Sequence, residues 1–307
     1  MQMGKVVILG VFVADAAYRA SRLPRLGETL LGSGFALGPG GKGSNQAVAA
    51  ARMGAETVFI TRLGADAFAE MAAQTWADAG VTPVVRTCPE SHTGSAFIFL
   101  DEATGENAII IAPGAAGTIA AEDLDAEAAR ISGASIFMTQ LEQPLAAAVR
   151  GLEIARAAGV ATLLNPAPAQ PLPAEVIGLC DYLTPNETEA AALTGLSVEG
   201  LEGARAAANA LRSKGAGTVI LTLGERGALF HGEGISQIVP AVSAGAVVET
   251  TGAGDAFNGG FAAALAEGRP PLDAVRFGCA VAGLSVTRPG AAASMPSRAE
   301  VDALLRG

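Results

Sequence analysis

Short runs of β-branched and aliphatic residues alternate with alanine-rich stretches of helical period through most of this chain, and that alternation constrains its fold more than any other feature. Strands are expected at residues 5–10, 57–61, 135–139, 160–164, 181–184 and 218–222. Between them, helices are expected at 43–53, 66–79, 144–158, 186–193 and 201–214, each apolar on one face with Gly near its end. Strand, helix and strand in succession require crossovers. The reading is therefore an α/β fold, a doubly wound and mainly parallel sheet flanked by helices. After residue 254 the pattern turns almost wholly helical, near 254–267, 271–287 and 297–306. Residues 11–36 and 93–112 break the rhythm. Their short extended pieces (Leu30-Leu31, Ser95 to Leu100, Ala108 to Ile111) read as a small antiparallel β lid inserted into one domain spanning 1–307.

Half of the 307 residues are apolar and 16% are charged, enough material for a large core. The net charge is −10, with no basic run or stripe, which argues against nucleic acid and membrane as partners. Two histidines (His92, His231) and three scattered cysteines (Cys88, Cys180, Cys279) give neither zinc-ligand spacing nor a disulfide framework, and they fit a reducing cytoplasm. The apolar stretch after Lys5, ending in Ala14-Asp15-Ala16, imitates a signal peptide. Its β-branched character and its acid suit a buried first strand better.

Three segments could carry chemistry. The first, Gly38-Pro39-Gly40-Gly41-Lys42-Gly43-Ser44-Asn45, fails as a phosphate loop, because Ala36 stands for the first Gly and Gly43 for the magnesium-binding hydroxyl. Gly38-x-Gly40-x-x-Gly43 formally matches a dinucleotide fingerprint, with Arg62 near the next strand end to meet a 2′-phosphate, so an NADP-dependent oxidoreductase stays open. In the third reading, Gly40 and Gly41 let the backbone approach a small polyhydroxylated ligand while Lys42 and Asn45 project donors into it. A charge at an apolar helix entry needs a partner.

The second segment, Val247 to Gly260, reads as strand, glycine turn and helix. The amides of Gly252, Ala253 and Gly254 form an anion site at the helix start, and Asp255 lies beside it. Taken alone, Asp255 is an ordinary partner of the helix dipole. Beside an anion-binding turn it can instead take a proton from a hydroxyl that attacks phosphorus. The third segment, Thr184-Pro185-Asn186-Glu187-Thr188-Glu189, reads as a capping box, with Asn186 and Glu189 also placed to hold phosphate and hydrated magnesium. Thr222 and Gly224, Asp15 after the first strand and Glu142 after strand 135–139 complete a polar ring at the same sheet edge.

Together these segments resemble the ribokinase family of carbohydrate kinases, from about Val6 to Leu305. Gly40-Gly41-Lys42-Gly43-x-Asn45-Gln46-Ala47, Leu141-Glu142-x-Pro144, Asn165-Pro166-Ala167-Pro168-Ala169, Thr184-Pro185-Asn186-Glu187-x-Glu189 and Gly252-Ala253-Gly254-Asp255-x-Phe257-Asn258-Gly259 follow the family's order. The resemblance implies an ATP-dependent kinase acting on the primary hydroxyl of ribose, with Mg²⁺, K⁺ and a lid through which two copies pair. It implies Asp255 as base with the 252–254 amides as anion hole. Asp15, Gly41, Lys42, Asn45 and Glu142 would hold the sugar. Asn186, Thr222, Gly224 and Gly254 would serve the nucleotide and Glu189 the magnesium. Glu249, Thr251, Ser285, Arg288, Gly290 and Ser294 would surround K⁺.

Three positions depart from the family's pattern. Val13 stands where an Asn is usual, which opens deoxyribose, fructose, a tetritol or a nucleoside as the acceptor. Glu249 replaces an Asp near the cation. Cys279 replaces a His near adenine, where packing is its expected role. A sugar-binding protein without catalysis is the remaining alternative.

Overall fold

A computed structural model describes residues 4–232 and 234–306. Its strands are β1 (Lys5–Leu9), β2 (Val13–Ala20), β3 (Gly34–Gly40), β4 (Glu56–Leu63), β5 (Thr82–Thr87), β6 (Ser95–Asp101), β7 (Asn107–Ala112), β8 (Ile136–Thr139), β9 (Ala161–Leu164), β10 (Tyr182–Leu183), β11 (Thr218–Thr222), β12 (Ala228–Gly232) and β13 (Ile235–Val239). The helices are α1 (Lys42–Arg52), α2 (Ala67–Ala79), α3 (Ala121–Ala126), α4 (Ala128–Ser132), α5 (Leu145–Ala157), α6 (Ala174–Ile177), α7 (Glu187–Thr194), α8 (Gly200–Ser213), α9 (Ala253–Ala266), α10 (Pro271–Ser285) and α11 (Arg298–Leu304).

Among the described residues the strands form two sheets, the larger in the order β13-β12-β11-β10-β9-β8-β1-β4-β5. Every pairing from β5 to β11 is parallel, and β12 and β13 finish one edge antiparallel. Alternate side chains of β1 enter opposite layers. Val6 and Ile8 pack with Phe59, Met138, Val48, Phe261 and Val281, while Val7 and Leu9 pack with Ile60, Phe137, Leu152 and Leu211. A strand covered on both faces reads as an unbroken apolar run. The residues that imitate a signal peptide are therefore the middle of the sheet.

The smaller sheet runs β3-β2-β6-β7. Its outer pairs are antiparallel, but β2 and β6 run parallel from Ala14↔Ser95 to Ala20↔Asp101, which corrects the expected all-antiparallel lid. Turns dictate direction only between neighbours in sequence, and β2 and β6 come from segments far apart. Leu30-Leu31 lies outside any strand, and β3 runs past the expected boundary at 36 to Gly40. Asp15, expected after the first strand and within the 11–36 stretch of the lid, lies in β2. The register puts Tyr18, Phe35, Leu37, Phe97 and Ile110 on one face and Asp15 on the other.

Candidate active site

The glycine turn before α9 has the geometry its sequence suggests, but the strand expected ahead of it is absent: residues 246–250 lie outside any strand. Gly252 caps the helix with φ 77°, and a Cβ there would come within 3.0 Å of the Ala291 Cα, so conformation and space both demand Gly. The Ala253 amide closes the turn onto the Thr250 carbonyl at 3.1 Å, so it is already engaged. Asp255, one turn further in, is only 6% exposed. Its carboxylate reaches across to α1 rather than into solvent: Asn45 Nδ2 donates to Oδ2 at 3.0 Å and Gln46 Nε2 donates to Oδ1 at 3.0 Å.

Small residues allow that meeting. A Cβ at Gly259 would lie 2.5 Å from Ala49 Cβ and 2.6 Å from the Gln46 carbonyl, so α1 and α9 touch backbone to backbone. At the start of α1, Gly41 has φ 88°, and the Lys42 amide donates to Glu142 Oε2 at 2.8 Å. A Cβ at Gly40 would overlap the Asp15 carboxylate. Lys42, Glu142, Asp15 and Asp255 thus lie near one another, close enough for each charge to bear on the ionisation of others. Burial pushes Glu142 up to about 7 against the pull of Lys42. Burial and the Asp255 charge raise Asp15 to about 6. Asp255 is raised by burial, against Lys42, Asn45 and Gln46. Burial works to lower the Lys42 ammonium, yet Asp255, Glu142 and Glu189 together hold it above its usual value.

At α7 the capping box forms in full: Asn186 Oδ1 accepts from the Glu189 amide at 2.8 Å, while Glu189 accepts from the Asn186 amide at 2.9 Å and from Nδ2 at 3.0 Å. Both Glu189 oxygens are therefore engaged, and burial raises its pKa despite that support. Asn186 bridges Thr222, and Gly224, with φ 57°, opens the next turn. Around the third group, Glu249 Oε2 accepts from the Gly290 amide at 2.9 Å. Ser285 and Ser294 donate to the Ala282 and Ala291 carbonyls, and the Arg288 side chain is drawn away to Glu300. Among the described residues, no hydrogen bond links the Thr251 hydroxyl to these groups.

The dinucleotide reading does not survive. Gly38 and Gly40 lie in β3 of the smaller sheet, not in a turn after β1. Arg62 is held by Asp123 and by the Thr118 hydroxyl, so it is not available to a 2′-phosphate. Cys279 is buried in the core with its thiol pushed up to about 12, as its packing role implies.

Sequence reasoning assigned no separate role to the buried amides that tie the site together. Gln46 also bonds Asn165 and Gln140, Asn165 donates to the Thr184 carbonyl, and Thr184 donates to Asn258, which returns to the Gly254 carbonyl. The available signal was polar side chains just past strand ends (Gln140, Asn165, Thr184) and in apolar helices (Gln46, Asn258).

Residues 3–298 match the pfkB family of carbohydrate kinases. The chain belongs to that family. The kinase is 40% identical to the ribokinase of Haemophilus influenzae, over 96% of each chain. It is 36% identical to the deoxyribokinase of Salmonella typhi over 95% of each. The solved Arabidopsis thaliana ribokinase, complexed with ribose and ATP, superimposes with a TM-score of 0.93 at 33% identity and covers both chains fully. Among the described residues, no helix is long and apolar enough to cross a membrane.

Proposed function

We propose that this kinase transfers the terminal phosphoryl group of ATP to the primary hydroxyl of ribose, with Asp255 accepting the hydroxyl proton. The observation that carries the reading is the buried Asp255 carboxylate, aimed by Asn45 and Gln46 and facing the space shared with Lys42, beside the Gly252–Gly254 turn. Asp15, Gly41, Lys42, Asn45 and Glu142 hold the sugar. Gly252 and Gly254, with Ala253 between them, receive the transferring phosphoryl, and Asn186, Thr222 and Gly224 receive the nucleotide. Phosphoryl transfer needs mainly positioning and charge stabilisation, so no protein nucleophile is required.

Among the described residues no acidic cluster could hold a bare metal ion. With both Glu189 oxygens engaged, Asn186 and Glu189 fit a hydrated Mg²⁺ held through its waters. Bound to the phosphates, the ion would neutralise their charge. For K⁺, Glu249, Thr251, Ser285, Arg288, Gly290 and Ser294 supply an oxygen-rich set in which Arg288 contributes only its carbonyl. The exposed apolar face of the smaller sheet, with Phe35 60% and Ile110 69% exposed, supports pairing of two copies through the lid. Three buried free cysteines suit a reducing cytoplasm.

A second acceptor is favoured by one observation. Val13, 5% exposed and paired in register with Gly40, places an isopropyl group beside the sugar loop, which suits 2-deoxyribose. ADP release measured against ribose, 2-deoxyribose, fructose, a tetritol and nucleosides, with and without K⁺, tests these readings together. Ribose or its deoxy relative should give the highest kcat/KM, with stimulation by K⁺. Preference for a nucleoside or fructose would overturn the sugar, and equal rates without K⁺ would overturn the cation.

A further inference from the structure

We propose that Gln46 is a positioning residue for Asp255, and that Gln140 locks the Gln46 amide in the orientation that presents its NH₂ group to the carboxylate. The proposal rests on Asp255 as the base.

Gln46 is fully buried, with both amide hydrogens donated and its oxygen accepting. Nε2 donates to Asp255 Oδ1 at 3.0 Å and to Asn165 Oδ1 at 3.1 Å, while Oε1 accepts from Gln140 Nε2 at 2.6 Å. Turning that amide over would set its oxygen against two acceptors and its nitrogen against a donor. Gln140, just past β8 and also fully buried, cannot turn without facing Gln46 Oε1 with its own oxygen. That oxygen has no hydrogen-bond partner and lies against Gly10 and Gly43, where an added Cβ would approach it to 2.6 and 2.8 Å. A fold that leaves one buried oxygen unsatisfied while satisfying every group of the next amide has fixed a direction along the chain Gln140, Gln46, Asp255.

The charged groups around Asp255 are Lys42 from α1, Asp15 from β2, Glu142 beyond β8 and Glu189 at α7. Only Lys42 favours the carboxylate. The donors from Asn45 and Gln46 therefore help keep Asp255 ionised in a buried site, as well as fixing its plane.

The test is ADP release by Gln46→Met and Gln140→Met, each alone and combined with Asp255→Asn, read as kcat, sugar KM and the pH profile of kcat/KM. Gln46→Met should lower kcat about 10- to 100-fold with sugar KM within about threefold of the parent. Its acidic limb should move up by about half to one pH unit, and Gln140→Met should move it less in the same direction. On the Asp255→Asn background neither change should slow the enzyme further. Should Gln46→Met fail to fold, Gln46→Glu keeps the shape, and its added charge should move the limb further still. A full multiplicative loss on a slow Asp255→Asn background, or a lower kcat with an unmoved limb, overturns the positioning role alone. Near-normal turnover by Asp255→Asn itself overturns the base and the proposal with it.

Discussion

Lys42 and Asp15 sit where a charge is costly: Asp255, Glu142 and Glu189 answer the Lys42 ammonium, whereas burial and the Asp255 charge both work against the Asp15 carboxylate and leave it to be answered by a ligand. Replacing either by Ala should raise the sugar KM with a smaller effect on kcat, measured by steady-state ADP release; unchanged KM in both variants would remove them from the sugar pocket. The raised carboxyls also carry a sign for stability. The folded chain holds the Glu142 and Asp15 protons more tightly than the unfolded chain, so the stability they contribute is complete below about pH 4 and is lost as pH rises through 6 to 7. Glu142→Gln should flatten that decline and stabilise the unliganded protein at pH 8 by up to about 2–3 kcal/mol, seen as a raised melting temperature. An unaltered pH slope would contradict the burial argument. At this scale Asp255, Lys42, Asn45 and Glu142 were legible because each stands beside glycines or a strand end. Gln46, Gln140 and Asn165 had no readable role, since a buried amide gains meaning only from partners such as Gln46 and Asn165, 119 residues apart.

Helices α1 and α9 meet because their contact positions are nearly bare, and that contact carries Asn45 and Gln46 to Asp255. Gly259→Val should force the helices apart, with a loss of about 1–3 kcal/mol in denaturant unfolding and a fall in kcat, since the displaced atoms include the Gln46 carbonyl. Gly80→Ala provides the contrast: φ there is 78° with open space around it, so stability should fall by about 1 kcal/mol while kcat holds. Equal effects on kcat would contradict a role specific to the α1–α9 contact. The parallel strands and the main helices were legible to within a few residues, because burial on one or both faces imposes a period. Where burial is slight the signal vanishes. The edge strand β5 is mostly exposed and contains Pro83, and it gave no pattern to read. The pairing of β2 with β6 was hidden for a different reason, that no turn connects them.

At the level of the molecule, the smaller sheet turns Asp15 towards the site and an aromatic cluster outwards. Tyr18 lies 4.9 Å from Phe35 and 5.7 Å from Phe97 between ring centroids, on a face that water meets unless a second copy covers it. Tyr18→Asp should shift sedimentation from a dimer to a monomer; a parent protein that sediments as a monomer would contradict the pairing. The alternation of strand and helix patterns made the α/β fold legible, whereas the outward face of the lid became visible only through strand register. The site itself exists only at this scale, because Asn45 and Asp255 are 210 residues apart and meet through the folding of the whole chain. On the proposed mechanism, the carboxylate at their meeting point accepts the proton of the attacking hydroxyl. The most direct measurement is the turnover of Asp255→Asn with saturating ribose and Mg·ATP. A kcat lower by at least about 10²–10⁴ with both KM values nearly unchanged is expected, and a kcat within about threefold of the parent would remove Asp255 from the chemistry.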